Sequence, residues 1–150
     1  MKYTTKNEFE HFNFAEAYIG DVQVTSGFFH MVLDNVTILP ENSCNRDIRE
    51  MRANNLILKI EEFSVISVVE EGFKTYNADG KLIGTCEDVE IAPEEQLEVI
   101  KTFADGVLYS LEKCDAQYIF NIDAANERSY VLTVEGSGDE EAWDRFLNKE

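Results

Sequence analysis

The chain has 150 residues, 44% hydrophobic and 11% aromatic, which is one domain's worth of sequence with enough apolar material for a packed core. Thirty Asp and Glu stand against thirteen Lys and Arg, a formal charge of −17. Nucleic acid and anionic membrane surfaces are bound through Lys and Arg, so those two partner classes are excluded first.

Cys44, Cys86 and Cys114 are odd in number and far apart, with no CxxC pair. A disulfide scaffold would be dense and even, so free thiols are expected. The first ten residues hold no apolar run of the signal-peptide kind, and no stretch approaches the roughly 20 apolar residues of a membrane-spanning helix. The expected location is therefore the cytoplasm, where the sequon at Asn35 carries no meaning.

Alternation of apolar and polar residues dominates the chain. Residues 15–24 alternate with Tyr18, Val22 and Val24 on one face, and residues 28–39 resume the pattern after a turn signal at Gly27. Two such runs around a short Gly-containing break predict a β-hairpin, with a bulge or bend at Asp34-Asn35. Residues 40–53, opening on Pro40, are the least sheet-like and are expected to form a loop or short helical insertion. Residues 55–72 predict a long bent strand or two successive strands with the corner at Glu61-Glu62. Asp79-Gly80 supplies the positive φ angles of a second hairpin turn.

Residues 93–104 admit a helix or a strand. The helix is the stronger reading: Pro93 and Glu94 suit its start, Leu97, Ile100 and Phe103 have helical spacing, and Asp105-Gly106 suits its end. Alternating runs at 107–111, 118–122 and 130–134 predict a meander. Ser137 and Glu140 match the S-x-x-E capping box, and Ala142, Trp143, Phe146 and Leu147 form an apolar stripe. A terminal helix over residues 138–147, anchored by Trp143, is expected. The architecture is thus mainly β (α+β by count): a single domain over residues 1–150, an antiparallel β-sandwich or partly open barrel of seven to nine strands.

Few residues point to chemistry. His11 and His30 are the only histidines and lie in no metal-binding spacing, so no metal or other cofactor is expected. No G-x-S-x-G, phosphate-cradling Gly loop or calcium loop occurs, and acids flank Cys86 and Cys114, which disfavours a reactive thiolate. Paired carboxylates recur, as at Glu70-Glu71 and Glu94-Glu95, but thirty acids produce such pairs by chance. No catalytic residue is assigned, and an enzyme is the less favoured reading.

Two features stand out as binding candidates. Arg46, Arg49 and Arg52 recur every third residue in the 40–53 insertion and are three of the chain's five arginines. On a helical turn they would share a face able to clamp a carboxylate or phosphate, or to pair with the protein's own acids. Aromatic residues are dense between Phe9 and Phe29, with Tyr18 and His30 the polar members that could meet a ligand or partner. The expected function is non-covalent binding by an acidic surface, to a basic protein partner. The alternative is a β-barrel holding a small molecule in an aromatic-lined pocket, and a hydrolase or isomerase comes third. Oligomeric state leaves no trace in the sequence.

Overall fold

The computed structural model describes residues 2–25 and 27–148, and most of them lie in strands. In chain order these are β1 (Tyr3–Lys6), β2 (Phe12–Asn13), β3 (Ala17–Thr25), β4 (Phe28–Asp34), β5 (Val36–Ile38), β6 (Met51–Ala53), β7 (Leu56–Glu61) and β8 (Ser64–Glu70). There follow β9 (Phe73–Tyr76), β10 (Leu82–Cys86), β11 (Val89–Glu90), helix α1 (Gln96–Lys101), β12 (Val107–Cys114), β13 (Gln117–Asp123), β14 (Ser129–Glu135), β15 (Gly138–Trp143) and β16 (Leu147–Asn148). A 3-10 turn at Pro93–Glu95 leads into α1, so the 93–104 segment is helical but shorter than its apolar stripe.

Ten strands form one antiparallel sheet in the order β1-β15-β7-β4-β3-β12-β13-β14-β8-β11. A second, four-stranded sheet runs β16-β6-β5-β2, and β9 pairs with β10 alone. The hairpins at Gly27 and Asp79-Gly80 and the β12-β13-β14 meander form as the alternation predicts. Asn35, at φ 65°, makes the bend between β4 and β5.

The large sheet does not close into a barrel: β1 pairs only with β15, and β11 only with β8. It folds over at a corner instead. Strand β7 runs into β8, and β14 into β15, and the two bent strands stay paired on both sides of the bend. Glu62 turns the first at φ 51°, where the Glu61-Glu62 corner is expected. Gly136 lies at the second, where a Cβ would come within 2.4 Å of Ile60 Cγ2 and only glycine fits. The core fills the fold. Phe29 meets Phe120 at 5.6 Å between ring centroids, Phe9 meets Tyr118 at 5.5 Å, and Phe103, just past α1, meets Tyr130 at 5.0 Å.

Three expectations need correction. The helix over residues 138–147 does not exist: Gly138–Trp143 is β15, paired with β1 and β7, and Leu147–Asn148 is β16. Ladder hydrogen bonds on both sides outweigh a local capping pattern, and Ser137 donates its N–H to Glu61 O, locking the corner. The described strands number sixteen rather than seven to nine: β1, β2, β6, β15 and β16 lie where no strand is expected, and bends at Asn35 and Glu62 divide longer runs. Tyr18 does not share a face with Val22 and Val24. A register shift between Ile19 and Val22 inserts a residue, so Tyr18 is 57% exposed while Val22 and Val24 are buried.

Candidate interaction surfaces

The β9-β10 hairpin stands apart from the core as an arm. Every residue from Phe73 to Cys86 is exposed, including Phe73 (54%), Tyr76, Leu82 and Ile83 (60%). Its tip is built by Asn77, whose side-chain oxygen accepts the N–H groups of Asp79 and Lys81. Its base is clamped where Gly72 donates its N–H to Asp88 Oδ1 at 2.6 Å. Only glycine fits at 72, since a Cβ would sit 1.9 Å from the Cys86 carbonyl oxygen. Directly after the arm, residues 87–98 carry Glu87, Asp88, Glu90, Glu94, Glu95 and Glu98, all exposed, with no Lys or Arg among them. At the base of the arm Phe73, Glu87 and Asp88 line one surface depression, so apolar and acidic side chains meet there.

The arginines do not share a helical face. The expected 40–53 insertion holds no helix and is shorter than expected: residues 40–50 run in turns, Met51–Ala53 is strand β6 paired with β5 and β16, and each arginine goes its own way. Arg49 closes on Asp47, with Nε donating at 3.2 Å and Nη2 at 3.0 Å. Arg52 lies on β6 opposite Leu147 and Thr37, its Nε buried without a hydrogen-bond partner among the described residues. Arg46 is exposed on a groove of about 600 Å³, together with Tyr3, Cys44, Asp47, Ile48, Met51 and Phe146.

His30 sits on β4 opposite Gln23, its ring 4.1 Å from that of Phe28. Burial holds its pKa below the ordinary imidazole value, and nearby Lys59 adds to the effect against an opposing pull from Glu140. Tyr18 opposes Asp34 further along the same hairpin, so neither residue joins the arginines in a site.

One cluster resembles a triad in composition but not in connection. Glu8 is at its centre, accepting Ser43 Oγ at 2.5 Å and the Ser43 N–H at 2.8 Å, with His11 Nδ1 at 3.1 Å. Burial alone would raise the Glu8 pKa, but these hydrogen bonds bring it below the ordinary carboxylate value. Nucleophilic catalysis needs the histidine between hydroxyl and acid; here the acid lies between them, and the cluster serves to tie the 40–50 loop down.

A buried pair of acids went unsignalled by any local pattern. Asp139 and Glu141 occupy alternate inward positions of β15 and are fully enclosed, with Trp143 next in the row. Tyr118 donates its hydroxyl to Asp139 Oδ1 at 2.8 Å, and Thr5 Oγ1 stands 3.5 Å from Glu141 Oε1. Asp139 Oδ2 and Glu141 Oε2 accept no hydrogen bond from any other group among the described residues. Burial, reinforced by Asp139, raises the Glu141 pKa to about 10, so Glu141 keeps its proton at neutral pH and can offer it to its neighbour. Burial and Asp139 likewise push the Tyr118 hydroxyl well up. The same enclosure leaves the pair no path to a substrate.

Among the described residues, no three His, Cys, Asp or Glu side chains converge as a metal-ligand set, and no helix is long and apolar enough to cross a membrane. No protein-family model matches the sequence, and no curated protein or solved structure resembles it significantly.

Proposed function

We propose that the protein acts in the cytoplasm by non-covalent binding, engaging a basic protein partner through the β9-β10 arm and the acidic segment 87–98. The observation that carries this reading is the arm itself. A lone two-stranded hairpin is marginally stable in water, and one that carries four exposed large apolar side chains on its two faces is suited to being covered by a partner. The adjacent acids select the partner's charge. A second copy would set one acidic flank against another, whereas a basic surface is attracted to it. The finer architecture in this proposal is a sandwich whose two layers are joined at the Glu61-Glu62 corner, with its binding element outside the layers.

A small-ligand container is less well supported. The interior aromatic rings pack on one another, and the grooves of the molecule open to its surface. The test uses the intact chain beside a Phe73→Ser/Ile83→Ser variant, both checked by circular dichroism. A basic protein captured by the intact chain and released by the double variant is the expected result. Capture unaffected by the variant would refute the arm as the binding element, and turnover of a small substrate would refute a purely binding role.

A further inference from the structure

The groove beside the 40–50 loop has features that folding alone does not require. Its floor is apolar and firmly packed: Tyr3 meets Phe146 edge-on at 4.8 Å and stacks on Trp143 at 5.8 Å. At its rim Ile48 is 93% exposed, and beside it Asp47 accepts the N–H and guanidinium of Arg49. The loop is preformed. Asn45 Nδ2 donates to the carbonyls of Ile38, Leu39 and Arg49, and Ser43 is bound by Glu8.

Charge on the groove comes down to one residue. Asp47 is neutralised by Arg49. Arg46 takes part in no ion pair among the described residues, although the chain carries thirty acids. A preformed groove with an apolar floor, a polar rim and, among the described residues, one unpaired guanidinium suits a ligand that has a carboxylate beside apolar side chains.

We propose that this groove docks the carboxy-terminal tail of a partner protein, with Arg46 taking the terminal carboxylate and the last side chain lying against Ile48, Met51 and Phe146. The overall charge decides between sources of the carboxylate. A segment rich in Asp or Glu would bring several negative charges toward a chain of −17, while a chain terminus brings one. Arginine's planar fork also matches a terminal carboxylate in a two-point contact, which gives the tail its direction.

The probe is a fluorescein-labelled peptide, Ser-Gly-Gly-Val-Leu-Phe, with a free carboxylate or a carboxy-terminal amide, followed by fluorescence polarisation. The free acid is expected to bind about tenfold or more tightly than the amide, a difference of one decade in Kd. Arg46→Ser should abolish that preference, and Ile48→Ser should weaken both peptides. Both positions are exposed, so the folded spectrum should not change. Arg145→Ser, on a different surface depression, should leave the preference intact. Equal affinity for acid and amide, a preference that survives Arg46→Ser, or no saturable binding by either peptide up to about 1 mM would each overturn the proposal.

Discussion

At the scale of single residues, the inward row of β15 is where stability and pH meet. Glu141 holds a proton in the folded chain up to about pH 10, while in the unfolded chain it loses that proton near its ordinary value of 4.5. Between those limits the native state binds more protons than the unfolded one, so stability falls as pH rises, by at most about 1.4 kcal/mol per pH unit. Glu141→Gln keeps the shape and a donor for Asp139 while removing the titration. Its melting temperature should gain on the parent's steadily between pH 5 and pH 9, and a constant gap would count against a protonated Glu141. Two positions further on, Trp143 is fully buried and touches the rings of Tyr3, Phe12 and Phe146. Trp143→Ala should cost roughly 3–5 kcal/mol in urea melts. A loss under about 1 kcal/mol would mean that this corner of the core is loosely packed.

At the scale of elements, strands announced themselves wherever their inward row was apolar. Residues 118–122 and 130–134 show this, as does the hairpin about Gly27. Strand β15 stayed hidden because its inward row reads Asp139, Glu141, Trp143, which inverts the usual polar-out rule and leaves the Ser137 capping signal uncontested. The bulge that turns Tyr18 outward is equally invisible, since nothing local separates Gly20-Asp21 from a regular strand. Arg46, Arg49 and Arg52 were visible as a basic cluster, but their separate placements follow from turns in the 40–50 loop that spacing alone does not show. The arm's exposure was not visible either, because Phe73, Tyr76, Leu82 and Ile83 look like ordinary strand residues until their exposure is known. That exposure makes a prediction about the element. The arm has no buried residue, so it opens locally at little cost to the body. Limited trypsin digestion should cut first after Lys74 or Lys81, and the nicked protein should keep the parent's thermal midpoint. First cuts elsewhere, or a midpoint that collapses on nicking, would show the arm to be part of the folded unit.

At the scale of the whole molecule, charge works against compactness. The ion pairs between described residues include Glu8, Asp47, Glu61, Glu70, Glu98 and Glu140, a small share of the thirty acids in the sequence. Exposed pairs of this kind contribute little each, so they cannot offset the mutual repulsion of a −17 chain. Repulsion of this range is screened by salt: the Debye length falls from about 30 Å at 0.01 M to about 3 Å at 1 M. The melting temperature should therefore climb with sodium chloride, most steeply at the low end where the screening length first drops below the size of the protein. Mild acidification should act in the same direction, since protonating surface acids also reduces the net charge. The two contributions to the pH effect can be separated. In Glu141→Gln the salt response should persist in full, because the surface is untouched, while the pH response should shrink by the share that the buried carboxyl supplies. A melting temperature indifferent to salt would mean that the acids are locally compensated, and would also remove the long-range attraction by which the 87–98 segment is proposed to draw in a basic partner.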